Sequence, residues 1–503
     1  MKSTKDNLSQ SHIGQLIRIK DSNFWNLEKK NKSLYLFHRA AKSVPAYKDF
    51  LKKNNINHQD IRTWEDFQKI PPIDKNNYLR KYQLEKLCWG GKLDNKSIVF
   101  TATSGSTGEP FYFPREQELD YQYSFIAESF LKNNSSKNGP TLVIIGFGMG
   151  VWIGGIITYK AFEIASQRTD HKISIITTGI NKKEIFSALR DLAPHFKNTV
   201  LIGYPPFVKD IIDEALQLKI NLKKINLRLV FAAEVFDEDF RDYLVKKAGV
   251  RNRFLDTMNI YGSADIGAMA SETPLSILIR TIALKKDGIF RDLFQDVSKV
   301  PTVAQFNPLF INFESVDKDI LLTGNNTVPL VRYSIGDNGG VFNIDNVANI
   351  FKKHGVSLKE ELRKAKISEE SISNFPFVYV YERKDLSTKL YGAIIYPEHI
   401  RHAILRHPII NSLTGKFTLT TKYDSKNNQY MEINCELRKG QGPSHRLKEM
   451  IKKGVVKELL DKNAEYTNNY KSMPKKVIPH IVLWPNEDLL HFKLGTKQKW
   501  VTI

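Results

Sequence analysis

A cluster of hydroxyls and glycines, Thr103-Ser104-Gly105-Ser106-Thr107-Gly108, stands just after the short apolar run Ser97-Ile98-Val99-Phe100. Glycine lets backbone N–H groups approach an anion closely, and Ser and Thr add hydroxyl donors, so such a loop can wrap a phosphate. It is not a Walker A loop, because no Gly-Lys-Ser/Thr closes it. Downstream, Tyr261-Gly262-Ser263-Ala264-Asp265 is a turn of small residues ending in a carboxylate. A carboxylate so placed suits a magnesium ion, which prefers hard oxygen ligands and phosphate partners. Arg332-Tyr333-Ser334-Ile335-Gly336-Asp337 sets an aspartate beside a glycine turn. Such an aspartate can accept both hydroxyls of a ribose. Each of these segments taken alone is also an ordinary polar turn.

Two charged segments complete the set. Glu382-Arg383-Lys384-Asp385 stands where the composition changes, and Phe492-Lys493-Leu494-Gly495-Thr496-Lys497-Gln498-Lys499-Trp500 closes the chain. A basic tail is commonly a mobile end. Bulky Phe492, Trp500 and Val501 around these lysines argue that this one packs.

The elements that would position these residues follow from hydrophobic patterning. Residues 1 to 96 read as mostly helical, interrupted at Pro71-Pro72. From 97 to 270, apolar runs (98–100, 142–145, 173–177, 200–202, 227–231) alternate with amphipathic helices such as 183–192 and 206–218. Alternation of that kind argues α/β layering with a largely parallel sheet. Beyond 300 the pieces are β-rich, for example 320–323 and 340–342. The expected fold class is α/β. A large N-terminal domain (1–384) carries layered, largely parallel sheets and helices. A small mobile α+β domain (385–503) follows, with a helix at 397–406, strands at 416–423 and 430–437, and a helix at 444–460.

With 503 residues the chain can bury a large core. Its net charge of +21 favours an acidic substrate or partner, CoA phosphates, or a membrane surface. The basic residues are spread without an arginine-rich arm, so nucleic acid is the least favoured partner. Only two cysteines occur, Cys88 and Cys435, without a CxxC partner. A disulfide framework is not expected, and a cytoplasmic, reducing location fits. The uncharged stretch 141–159 is long enough to span a bilayer, but its glycines favour a buried strand, a tight turn and a helix. No transmembrane segment is expected. The oligomeric state, with a homodimer among the options, is not readable.

The order and spacing of these segments make the sequence resemble the adenylate-forming superfamily of acyl-CoA synthetases, peptide-synthetase adenylation domains and luciferases. The segments Val44-Pro45-Ala46-Tyr47-Lys48, Trp64 to Lys75, Gly203-Tyr204-Pro205-Pro206, Ala232-Ala233-Glu234-Val235-Phe236 and Pro329-Leu330-Val331-Arg332-Tyr333 resemble the phenylacetate–CoA ligase branch. The resemblance implies an ATP- and Mg²⁺-dependent ligase that activates a carboxylic acid as acyl-AMP and passes it to a thiol. The implied thiol is coenzyme A or the phosphopantetheine of an acidic carrier protein.

It also implies roles residue by residue. Thr103, Ser104, Gly105, Ser106, Thr107 and Gly108 would surround the ATP phosphates. Ala233 and Glu234 would lie near adenine, with Tyr261, Gly262 and Ser263 flanking it. Asp265 would be the magnesium ligand, and Asp337 would bind the ribose. Arg383 would lie near the nucleotide, with Lys384 or Asp385 as the hinge. Lys497 matches the catalytic lysine of the last motif, with Lys499, and then Lys493, as alternatives because the motif reads Gly-Thr-Lys instead of Gly-Lys. Tyr204 and Trp152 are candidates for an aryl or apolar acid pocket. Asp265 stands where the family usually has Glu, and Phe111 follows Pro110 where Lys or Thr is usual.

Competing readings remain. Gly146-Phe147-Gly148-Met149-Gly150 after a strand could mark an NAD(P)-binding Rossmann unit, although the third glycine is misplaced for G-x-G-x-x-G. The same fold could adenylylate another acceptor such as a hydroxyl, or serve as a non-catalytic member.

Overall fold

The computed structural model describes residues 20–94, 97–102, 111–135, 139–149, 153–233, 235–294, 300–381, 388–390, 393–423, 429–463, 466–467, 470–471, 474–489 and 491–492. Of the sequence-derived candidates, Thr103 to Gly108, Trp152, Glu234, Arg383, Lys384, Asp385, Lys493, Lys497 and Lys499 lie outside the described residues.

Long apolar runs become central strands. In chain order the strands are β1 (Val99–Ala102), β2 (Tyr112–Arg115), β3 (Thr141–Gly146), β4 (Ile173–Ile176), β5 (Asn198–Gly203), β6 (Leu227–Ala232), β7 (Thr257–Ser263), β8 (Gly267–Ser271) and β9 (Thr302–Gln305). They continue as β10 (Ile311–Val316), β11 (Asp319–Gly324), β12 (Leu330–Phe342), β13 (Phe377–Val380), β14 (Thr388–Leu390), β15 (Ala393–Ile395), β16 (Leu413–Tyr423), β17 (Gln429–Leu437) and β18 (His480–Trp484).

The main sheet has 11 strands in the order β10-β11-β12-β13-β9-β8-β7-β6-β5-β3-β4. Its β4-to-β7 half is parallel. The half from β8 to β10 is antiparallel. The parallel half is α/β as expected, and the β-rich pieces beyond 300 extend the same sheet.

Helices cover both faces of the parallel half. Side chains alternate across β3, so Leu142 and Ile144 enter one core with Ile185, Ile211 and Leu244. Val143 and Ile145 enter the opposite core with Tyr123, Ala161 and Phe162. Burial on both faces is why the strand reads as one unbroken apolar run. Helices α1 (Ser22–Ser43) and α2 (Pro45–Lys53) pack on the antiparallel half. Helices α3 (Gln117–Lys132) and α4 (Ile153–Arg168) cover one face of the parallel half, and α5 (Pro205–Gln217) and α6 (Glu238–Ala248) the other. The stretch tested for membrane spanning is β3 followed by α4. Among the described residues no helix is long and apolar enough to cross a membrane.

From β14 onward the chain forms a second unit with its own core, which Leu390 and Ile395 join. Helix α7 (Pro397–Ile404) and helix α8 (His445–Lys462) pack on the sheet β16-β17-β18 around Ile400, Phe417, Ile433 and Ile451. This unit docks on α5 and α6 through buried charge. Lys209 Nζ donates to the Thr414 carbonyl at 2.8 Å and pairs with Asp213 at 2.9 Å. Arg438 reaches the same Asp213 at 2.7 Å, and Lys416 pairs with Asp210 at 3.2 Å. His402 sits between Asp237, at 2.7 Å, and Glu458, at 3.0 Å.

Candidate active site

The parallel strands end at a crevice. The chain runs from β3 outward to β4 and then returns to the other side of β3 as β5, so strand order reverses between β3 and β5. Ligands of open α/β sheets bind at the carboxyl ends of strands at such a point. Small residues line that edge. A Cβ on Gly146 would lie 2.9 Å from the Ile202 carbonyl oxygen, and one on Gly203 would lie 3.0 Å from Val208. Just past them the rings of Phe147 and Tyr204 meet edge to face, with centroids 4.9 Å apart. Tyr204 therefore stands at the crevice, where an apolar or aryl group would find an aromatic wall.

Next along the edge, β6 leads to Ala233, an exposed residue with left-handed backbone at φ 73°. A non-glycine residue held there is locally strained, a condition that clusters at functional sites. Strand β7 then brings Tyr261, Gly262 and Ser263. Gly262 has no room for a side chain, because a Cβ would lie 2.7 Å from the Gly267 carbonyl oxygen. Tyr261 Oη donates to Asp337 Oδ2 at 2.6 Å. Asp337 is buried on β12, just after Gly336 at φ 82°. The sheet thus joins Tyr261 and Asp337, two candidates drawn from separate motifs of the sequence.

Asp265 lies in the turn between β7 and β8 and is 1% exposed. Its Oδ1 pairs with Lys75 Nζ at 3.2 Å, and its Oδ2 accepts from Tyr333 Oη at 2.7 Å. Both carboxylate oxygens of Asp265, the residue expected from the sequence as a magnesium ligand, thus have a partner. Among the described residues no cluster of His, Cys, Asp and Glu side chains is arranged to hold a metal ion.

Lys75 is brought there by the segment that resembles the phenylacetate–CoA ligase branch. Ile73 forms a parallel bridge with Tyr333, through Ile73 N–H to the Arg332 carbonyl at 3.1 Å and Ser334 N–H to the Ile73 carbonyl at 2.8 Å. The Arg332 side chain donates to the carbonyls of Gln68 and Ile70 and pairs with Glu314 at 3.3 Å. Arg332 itself is left-handed, at φ 50°. Asp74 accepts from the N–H groups of Asn76 and Asn77, each at 2.6 Å, which starts the turn carrying Lys75.

The hairpin β1–β2 holds the stems of the Thr103–Gly108 segment, with Ala102 opposite Tyr112. Arg115 at its base donates to Thr101 Oγ1 at 2.6 Å and to the Ala264 carbonyl. Burial pushes the Arg115 pKa down, and the charges of Asp265 and Asp120 act against that. Nearby, burial raises the Asp120 carboxyl to about 6, against the lowering pull of Lys160 and Arg115.

Sequence reasoning gave Arg115 no task and did not pair Lys75 with Asp265. The signal for Arg115 was an arginine closing the short, otherwise uncharged run Phe111 to Pro114. The signal for Lys75 was a lysine directly after a helix-capping Asp, just past the apolar run Ile70-Pro71-Pro72-Ile73.

No protein-family model and no curated protein sequence matches the chain. Solved structures do match in three dimensions. A 2-hydroxyisobutyryl-CoA ligase in the postadenylation state, in complex with 2-HIB-AMP, superposes with a TM-score of 0.67 at 13% identity, covering 100% of this chain and 95% of that one. The same ligase with 2-HIB-AMP and CoA in the thioesterification state gives 0.55 at 13% identity, with the same coverage. AtGH3.15 acyl acid amido synthetase, in complex with 2,4-DB, gives 0.59 at 13% identity, covering 98% of this chain and 94% of that one. Gly146, the first glycine of the segment considered for NAD(P) binding, ends β3 packed against β5. The chain has the fold of the adenylate-forming enzymes, the superfamily that its ordered motifs resemble.

Proposed function

We propose that this protein is an ATP-dependent adenylate-forming ligase, which activates a carboxylic acid as acyl-AMP and transfers the acyl group to the thiol of coenzyme A. The observation that carries the reading is the Tyr261–Asp337 hydrogen bond at the carboxyl ends of the parallel strands, beside the hairpin stems that hold Thr103 to Gly108. A carboxylate is a poor electrophile. Its oxygen attacks the α-phosphorus of ATP, the bond to the bridging oxygen breaks, and pyrophosphate leaves. The thiol, after losing its proton, then attacks the acyl carbonyl and AMP leaves.

In this reading Asp337 accepts the ribose hydroxyls while Tyr261 Oη fixes the carboxylate. Tyr261, Gly262, Ser263, Ala233 and Glu234 flank adenine. Thr103 to Gly108 supply backbone and hydroxyl donors to the departing phosphates. The paired Lys75–Asp265 holds a fixed ammonium at the same end of the sheet. Phe147, Tyr204 and Trp152 wall an aryl or apolar acid. Lys497, with Lys499 as alternative, orients the carboxylate against the α-phosphate. Arg383 lies near the nucleotide, and Lys384 or Asp385 is the pivot that exchanges one half-reaction for the other. Two buried thiols, Cys88 and Cys435, suit a reducing cytoplasm.

The likeness to an amido synthetase as well as to a CoA ligase favours testing the acceptor directly. Product analysis with a panel of aryl and short acyl acids decides it: AMP and pyrophosphate should form in equal amounts, with the acyl thioester when CoA is present. Formation of ADP and phosphate, or turnover only with an amine or a carrier protein, would overturn the corresponding part. Lys497→Ala should abolish adenylation and spare thioester formation from supplied acyl-AMP. Equal loss of both steps would assign the role to another lysine.

A further inference from the structure

The segment between β6 and α6 is shared by the crevice and by the second unit. Its first residue, Ala233, stands at the crevice. Ala232 is paired with Ile260 in β7, so Ala233 follows at the strand end beside Tyr261. Ala233 is exposed and held at φ 73°. A non-glycine residue persists in that conformation only where its surroundings over-determine it. The far end of the segment is Asp237, whose Oδ1 accepts from Phe240 N–H at 2.7 Å and caps α6.

Three side chains hold Val235, Phe236 and Asp237 in turn, and two of them come from the second unit. Arg401 Nη1, in α7, donates to the Val235 carbonyl at 2.5 Å. Arg280, in the helix Pro274–Lys285, donates to the Phe236 carbonyl. His402 Nε2, also in α7, lies 2.7 Å from Asp237 Oδ2. Elsewhere on this contact, Arg438 and Lys416 meet side chains on the regular helix α5, Asp213 and Asp210. Arg401 instead grips a main-chain carbonyl in irregular backbone, two residues from Ala233. Its side chain is buried, with the residue 3% exposed. A buried guanidinium is costly unless it is hydrogen-bonded, so Arg401 and the Val235 carbonyl hold one another in place. The guanidinium is a planar group of fixed geometry, suited to fixing a backbone and not merely to attracting it.

We infer that Arg401 is a positioning residue: from the second unit it fixes the backbone after β6, and so holds Ala233 in its strained conformation at the crevice beside Tyr261. In the adenylate-forming reading, on which this rests, Ala233 and Tyr261 flank adenine. One wall of the base subsite is then complete only while α7 is docked on it. Linkage makes the effect reciprocal. Docking strengthens nucleotide binding, and a bound nucleotide strengthens docking by the same factor. An arginine that served only to glue the two units together would show no such response to a nucleotide.

Isothermal titration of AMP and amide hydrogen exchange, both on the full-length chain, test it. In the wild type, AMP should slow exchange across α7 about fivefold or more. In Arg401→Met, AMP affinity should fall about fivefold to tenfold, and AMP should lose most of its effect on α7. Exchange in β16 and β17 without AMP should match the wild type, which marks an intact second unit. Arg401→Lys, which keeps the charge but not the fork, should recover only part of the affinity. His402→Gln removes the neighbouring contact to Asp237. It should weaken AMP in the same sense and by less, and it keeps the test open if the methionine variant does not fold. A wild type that binds AMP without any slowing in α7, or unchanged AMP affinity in Arg401→Met, would overturn the inference and leave Arg401 an interface arginine only. A wild-type chain that binds neither AMP nor ATP would overturn the adenylate-forming reading itself.

Discussion

At the scale of single residues, the account turns on a tyrosine and an aspartate that meet from distant parts of the chain. The Tyr261 hydroxyl donates to a buried carboxylate, and hydrogen bonds to charged groups contribute about 1.5–3 kcal/mol. Tyr261→Phe should therefore weaken AMP binding about tenfold, by removing a hydrogen bond that orients Asp337. Asp337→Ala, which removes both oxygens that the proposed function assigns to the ribose, should weaken it on the order of a hundredfold. Calorimetric titration of AMP reads both, and unchanged affinity in Asp337→Ala would remove the aspartate from the site. These two positions were legible in the sequence because each lies in a short motif rich in small residues. The Lys75–Asp265 pair was not, since nothing local in either segment names the other. Its consequence is a buried carboxylate with a partner on each oxygen. The left-handed backbone of Arg332 was equally hidden, because arginine carries no local signal for that conformation.

At the scale of elements, the parallel strands were legible because burial on both faces makes them continuous apolar runs, as in Leu142 to Ile145. The union of both halves into one sheet was not. It depends on β9, which pairs β8 only through Ser271 and Gln305 before passing to β13. Non-local pairings of this kind leave no periodic trace. The hairpin between β7 and β8 is the element on which the site depends most. Gly262→Ala would drive a Cβ to 2.7 Å from the Gly267 carbonyl oxygen. The backbone must shift, at about 1–3 kcal/mol. Thermal melting should show that loss together with weaker AMP binding. Melting and AMP affinity both equal to wild type would contradict the close approach.

At the scale of the whole molecule, the second unit is held by charges buried between it and α5 and α6. His402 is the titratable part of that contact. Burial lowers its pKa, but Asp237 and then Glu458 overcome burial and raise it to about 10 from an ordinary 6.5. Because the folded value lies above the unfolded one, the stabilisation is complete below about pH 6.5 and is lost as pH rises towards 10. Each unit in that window should remove up to about 1.4 kcal/mol. The melting temperature of wild type should fall across pH 7 to 10 more steeply than that of His402→Gln, and parallel profiles would contradict the docking role of His402. The existence of a second α+β unit was legible from its helix and paired strands. The docking was not, because it joins Lys209, Asp210, Asp213 and Asp237 to Thr414, Lys416, Arg438 and His402 across the two units.

The central claim is that this crevice forms an acyl-adenylate before any acceptor arrives. ATP–pyrophosphate exchange, run with labelled pyrophosphate and without CoA, measures that step alone. The account predicts exchange that depends on an added carboxylic acid and is lost in Asp337→Ala. Wild-type protein that catalyses no acid-dependent exchange across aryl and acyl acids would contradict it.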